Sequence, residues 1–302
     1  MNKNHLLKIE SLTQLHSILG LDKPVHPLVS LVKLEDVKIT PGTLPEFLVV
    51  NFYKVAYKMD LSGAMKYGQN YYDFGEGGLV FTAPNQPFQS PDDTVKSGYI
   101  LFIHPDFLLS YPLAKKVNQY GFFSYAANEA LHLSEHEKAT IISIFKVMQE
   151  ELHSRIDDFS QEIVISQVEL LLSYSHRFYK RQFITRKAVN NELLHKLDTV
   201  LDDYFSNEKP FEQGLPTVQY LAAHVNLSPS YLSDMLRSLT GQNAQQHIHH
   251  KLIEKAKELL STTHLTVSEV AYQLGFEHPQ SFSKLFKTKA KLSPLAFRQS
   301  FN

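Results

Sequence analysis

The chain has 302 residues, 43% hydrophobic and 20% charged, an ordinary composition for a globular protein with room for two domains. Thirty basic against 31 acidic residues leave a formal charge of -1, so the average names no polyanionic or membrane partner, yet residues 217–302 carry nine basic against five acidic groups and the remainder 21 against 26. The absence of cysteine excludes disulfide frameworks, thiolate nucleophiles and Cys-ligated zinc. Residues 1–18 interleave Lys3, His5, Lys8 and Glu10 with apolar positions, unlike a signal peptide, and no run approaches the roughly 20 apolar residues that span a bilayer, so a cytoplasmic location without membrane contact is expected.

Residues 24–110 are punctuated by turn formers: Pro24, Pro27, Pro41-Gly42, Pro45, Gly63, residues 75–78, Pro84-Asn85, Pro87, Pro91 and Pro105. Between them lie short β-branched and aromatic segments at 47–57, 78–82 and 98–103, which predict a small all-β sandwich or barrel. At Ser134 the period changes. Ser134 and Glu137 form a capping box ahead of Ile141, Phe145, Met148 and Leu152, and residues 160–179 repeat that spacing with Val164, Val168, Leu171 and Leu172. Two amphipathic helices turning at Asp157-Asp158 follow, an antiparallel hairpin that either packs on its own sheet or dimerises the chain. Residues 176–187 hold five Lys or Arg and no acid, which reads as a solvated linker.

The last 86 residues contain an internal duplication. Residues 217–236 read TVQYLAAHVNLSPSYLSDML and residues 266–286 read TVSEVAYQLGFEHPQSFSKLF. Thr217-Val218 aligns with Thr266-Val267, Ala222 with Ala271 and, after one extra residue, Pro229 with Pro279, Ser233 with Ser283 and Asp234 with Lys284. Each copy predicts a helix, a tight turn and a second helix: Thr caps the first, a small Ala permits close crossing, and Pro occupies the first position of the second. Between the copies, residues 244–260 present Ile248, Leu252, Ala256 and Leu260 on one stripe, a strut about 25 Å long.

LAAHVNLSPSYLS, Thr240-Gly241, KLIEKAKELL and VSEVAYQLGFEHPQSFSKLFK followed by Ser293-Pro294 and Phe297-Arg298 together resemble the AraC/XylS family of bacterial transcription regulators over residues 215–298. Leu252 and Asp234 stand where that family often carries Arg, and Lys291 where Gly is usual. The resemblance implies a DNA-binding domain of two helix-turn-helix motifs joined by a long helix, with double-stranded DNA as partner. It also implies base-facing residues Ser230, Ser233 and Asp234 in the first recognition helix and Gln280, Ser281, Ser283 and Lys284 in the second. Gln pairs with adenine, Lys with guanine, and Ser serves base or phosphate. Arg237 and Lys287 extend the set as a partner for Asp234 and a phosphate ligand, and the acid-free run of Lys284, Lys287, Lys289, Lys291 and Arg298 suits phosphate neutralisation.

The same resemblance implies an α+β two-domain chain. Residues 1–180 would be a cupin-like barrel with trailing helices that meets a small-molecule effector or dimerises, and residues 181–302 the all-α DNA-binding domain. A homodimer, RNA polymerase as a further partner and a nucleoid-associated location follow from it. The rival readings are a cupin-type metalloenzyme and a nonenzymatic small-molecule binder. Metal-dependent cupins need His-x-His with further ligands, and none precedes His247, so neither metal nor cofactor is expected; His26 and His104 read as ordinary core or edge histidines. On a helix His247 and His250 share a face while His249 turns away, which suits a surface role.

Overall fold

The computed structural model describes residues 6–38, 47–59, 65–67, 70–72, 77–89, 97–126, 129–154, 157, 159–185, 187–207 and 209–300. Pro41-Gly42, Pro45, Gly63, Gly75, Pro91 and Asp158 of the turn readings lie outside these. The chain divides into two compact units, Met1–Gln182 and Phe183–Asn302.

The first unit opens with β1 (Leu6–Ile9), α1 (Leu12–Ile18) and β2 (Val29–Lys33). The expected single strand over 47–57 is broken at Asn51-Phe52 into β3 (Phe47–Val50) and β4 (Tyr53–Lys58), because the two halves belong to different sheets. β5 (Met65–Tyr67), β6 (Asn70–Tyr72), β7 (Gly78–Thr82), β8 (Pro87–Gln89) and β9 (Gly98–Ile103) follow, then short helices α2 (Pro105–Leu108) and α3 (Leu113–Lys116) and strand β10 (Leu131–His132). One sheet has the order β10-β7-β4-β9-β2 and is antiparallel throughout; a second has the order β1-β3-β8, and β5 pairs with β6. The β-rich unit is therefore as expected, but among the described residues neither larger sheet closes on itself. β2 and β10 each pair on one side only, a long-range outcome that turn formers and strand lengths do not encode.

Strand alternation gives the five-stranded sheet two buried faces. Ala56, Ile100, Phe102 and Val32 meet Leu48 and Val50 of the second sheet and Leu12, Leu15 and Leu19 of α1 and its end. The opposite face carries Tyr57 and Tyr99, whose rings stack on Phe145 at 6.4 and 5.3 Å between centroids. Phe145 lies on α4 (Glu135–His153), which starts at the expected Ser134 and Glu137 capping box. Burying one such ring stabilises the fold by about 2 to 3 kcal/mol.

α5 (Ser160–Thr185) buries Val164, Val168, Leu171 and Leu172, the stripe read from the spacing. It also corrects the linker reading, since residues 176–185 of the basic run continue as helix. Phe178, Tyr179, Gln182 and Phe183 are buried. Arg181 donates to both Glu137 carboxylate oxygens and, at 2.7 Å, to the His132 carbonyl, and the Gln182 side-chain carbonyl accepts from the His132 N–H at 2.8 Å. With the end of α5 joined to the start of α4, the two helices run antiparallel.

The second unit consists of α6 (Lys187–Ser206), α7 (Lys209–Gln213), α8 (Val218–His224), α9 (Pro229–Thr240), α10 (Ala244–Thr262), α11 (Val267–Gln273), α12 (Pro279–Ala290) and α13 (Pro294–Gln299). Lys251 of α10 pairs with Asp202 of α6 at 2.7 Å. No helix among the described residues is long and apolar enough to cross a membrane.

Candidate nucleic-acid interface

Both copies of the repeat are helix-turn-helix units, and their local chemistry is that read from the sequence. Thr217 and Thr266 cap α8 and α11 by accepting from the backbone N–H of Tyr220 and Glu269. Glu269 reciprocates, taking the Thr266 N–H at 2.6 Å, and these bonds hold its carboxyl below the usual range. Ala222 and Ala271 are buried, and their carbonyls accept from the Leu227 and Phe276 N–H at 3.0 Å. Each turn passes through the left-handed region, at Asn226 with φ +56° in the first copy and Gly275 with φ +90° in the second. Only the second position demands glycine on grounds of space: a Cβ there would lie 2.7 Å from the Gly214 carbonyl carbon and 2.8 Å from the Pro210 oxygen, whereas a Cβ at Gly241, where α9 stops, meets nothing.

The second helices α9 and α12 have matching faces. At about 100° per residue, positions 230, 233, 234 and 237 share an arc of roughly 100°, as do 280, 283, 284 and 287. Tyr231, Leu232, Met235 and Leu236 are buried opposite the first arc, and Phe282 and Phe286 opposite the second. Arg237, Gln280, Ser281, Lys284 and Lys287 are exposed, and Ser230, Ser233, Asp234 and Ser283 are half-buried. Ser281 lies outside the shared arc, at the position that Tyr231 fills in α9 with a buried ring set edge-on to Phe183 at 5.1 Å. Thr288, exposed one turn beyond Lys284 and bonded to its carbonyl at 2.7 Å, shares the α12 surface; only its i+4 spacing signals it.

The two faces differ in charge. On α9, Arg237 Nη1 donates to Asp234 Oδ1 at 2.9 Å, so the pair is locally neutral. On α12 the equivalent positions are Lys284 and Lys287, and Lys289 adds a third cation with no acid on the helix. Arg298 departs from the basic-run reading, because it turns inward and its Nε donates to the Leu260 carbonyl at 3.1 Å, closing the end of α10. The strut is 19 residues, or about 28 Å.

The three histidines near its start have separate partners: His247 Nε2 with Thr240 Oγ1 at 2.8 Å, His249 with Gln245 at 3.0 Å and His250 with Glu254 at 3.4 Å. Burial holds the His247 and His249 imidazoles below their usual range, and Lys289 adds to this at His249.

Residues 221–300 match a family model described as a helix-turn-helix domain. The HTH-type transcriptional activator RhaS of Klebsiella pneumoniae is 29% identical over 141 residues, which cover 46% of each chain, so the present chain spans about half the length of the curated relatives it matches. Histidine kinase P4 of Formosa agariphila is 25% identical over 119 residues, 39% of this chain and 8% of that one. The C-terminal domain of the response regulator yesN from Fusobacterium nucleatum is 30% identical and covers 36% of this chain and 98% of that domain, with a TM-score of 0.31. From the paired repeat and the family match, residues 221–300 form a helix-turn-helix domain.

Proposed function

We propose that the chain is a nonenzymatic, sequence-specific regulator of transcription that binds double-stranded DNA through α9 and α12 and responds to a small ligand through its first unit. The observation that carries this reading is the pair of equivalent solvent-facing arcs, each held by a buried opposite face and joined by one rigid helix. Ser230, Ser233, Asp234 and Arg237 are assigned to one major groove and Gln280, Ser281, Ser283 and Lys284 to the next, with Lys287 on phosphate. The β-rich unit, as an open relative of a cupin-like barrel, is assigned to effector binding and dimerisation. Contact with RNA polymerase and a place on the cytoplasmic nucleoid belong to the same reading, which the similarity to transcriptional activators supports.

Val168 and Leu171, 1% and 0% exposed, already serve their own unit, so the dimer contact is assigned to the outer stripe of α5. Ile163 and Leu170 on that stripe, and Phe159 just before it, remain exposed. Selection of the full chain against randomised duplexes tests the reading as a whole. A preferred motif with two half-sites is expected, bound at least about 10³-fold more tightly than random DNA. No preferred sequence at any salt concentration refutes it.

A further inference from the structure

Strand β2 is an edge of the five-stranded sheet, and a cleft of about 510 Å³ runs along it. The phase of the ladder follows from one bond: His104 N–H donates to the Leu28 carbonyl at 2.7 Å. Hydrogen-bonded pairs recur every second residue in an antiparallel ladder, so Ser30 and Val32 spend their backbone groups on Phe102 and Ile100. Leu31 therefore aims both its N–H and its C=O into the cleft, and no backbone or side-chain group among the described residues bonds them. Leu31 is half-buried and lines the cleft, so it is the edge residue that an entering molecule meets.

The cleft has walls on both faces of the sheet. On one side His16, 8% exposed, donates through Nδ1 to the Asp22 carbonyl at 2.5 Å and meets Ser30 Oγ through Nε2 at 2.8 Å. This ties the loop after α1 to β2. On the other side stand Leu152 and His153 at the end of α4. A second copy of the sheet would have to displace both walls, and a helix has no spare backbone groups along its length for Leu31. An extended chain satisfies Leu31 with two hydrogen bonds and fits the volume. Lys23, Lys33 and Lys38 line the cleft together with Asp22, Glu35 and Asp36, so it offers partners for an ammonium and a carboxylate at once.

We propose that this cleft binds a short free oligopeptide, which lies extended against Leu31 as an added strand. The proposal rests on the reading of the first unit as an effector domain and names the class of effector.

Randomised tetrapeptides with free termini, titrated against the full chain, test it. Peptides that bind are expected to slow hydrogen exchange at the Leu31 amide and to lose at least tenfold in affinity to Leu31→Pro, which deletes an N–H that the ladder to β9 does not use. Leu152→Trp, which fills the cleft from α4, is expected to lose as much and guards against a folding defect in the first variant. A library with no binder, in a chain that still selects DNA, overturns the proposal and leaves the regulator reading intact, whereas lost DNA selection with peptide binding retained does the reverse. Equal affinity for N-acetylated, C-amidated peptides overturns the free-peptide assignment in favour of a segment of a protein partner, and a dimer that dissociates on Leu31→Pro overturns it in favour of a second copy.

Discussion

Replacing Asp234 by Ala separates readout from repulsion on the first recognition helix. The wild-type carboxylate sits 2.9 Å from Arg237, on a pair whose side chains are 28% and 57% exposed. Such an i,i+3 pair stabilises a helix by only about 0.3 to 0.5 kcal/mol, so the melting temperature is expected to move by about 1 to 2 °C. Its effect on binding is larger. Freed from the carboxylate, Arg237 gains a phosphate partner and the slope of log K against log salt steepens by about 0.9, a roughly threefold change in relative affinity between 50 and 200 mM salt. If Asp234 accepts from a cytosine N4, discrimination at one base pair falls by about 1 to 3 kcal/mol. Anisotropy titrations at four salt concentrations on specific and random duplexes, with a binding-site preference matrix, read both quantities. An unaltered matrix with uniformly tighter binding refutes the readout role, and an unchanged slope refutes the release of Arg237.

Lys287→Ala is expected to weaken binding to every sequence and flatten the salt slope by about 0.9, measured in the same titrations. Gly275→Ala is expected to destabilise the second unit by about 2 to 4 kcal/mol in urea unfolding, because the new Cβ meets two backbone segments at a positive φ. Lys291 ends α12 with φ +64°, so Lys291→Gly is expected to stabilise the unit by about 1 kcal/mol in the same assay. Sedimentation is expected to show folded monomers for Ile163→Glu with Leu170→Glu, and thermal melting a disrupted first unit for Val168→Glu; a wild type that is monomeric at all accessible concentrations refutes the dimer.

What was legible in the sequence was what is local. Caps at Ser134, Thr217 and Thr266 act on residues three positions away, and the buried stripes of α4, α5 and α10 recur every three or four residues, so short windows reveal them. The matching arcs of α9 and α12 were legible because the repeat supplied the alignment. What escaped depends on distant partners. The helix over the basic run is secured by Arg181 against Glu137, 44 positions earlier, and Arg298 owes its inward turn to Leu260. The edge position of β2 among the described residues reflects which strands pair over long range, which no alternation of residue types announces. Asn226 and Gly275 both take a positive φ in the turns of their motifs, yet the close backbone of Gly214 and Pro210 that requires glycine at the second is a long-range fact.

That approach of Gly275 to Gly214 bears on how the second unit folds. In sequence the repeats look like separable beads on a strut, each able to melt alone. Gly275, however, sits in the turn of the second motif, and Gly214 lies ahead of the first, where its carbonyl accepts from Tyr204 of α6 at 2.9 Å. The contact closes a loop over the whole first motif and the strut, so its entropic cost is met only when both are in place. Denaturation should therefore remove both motifs in a single cooperative step.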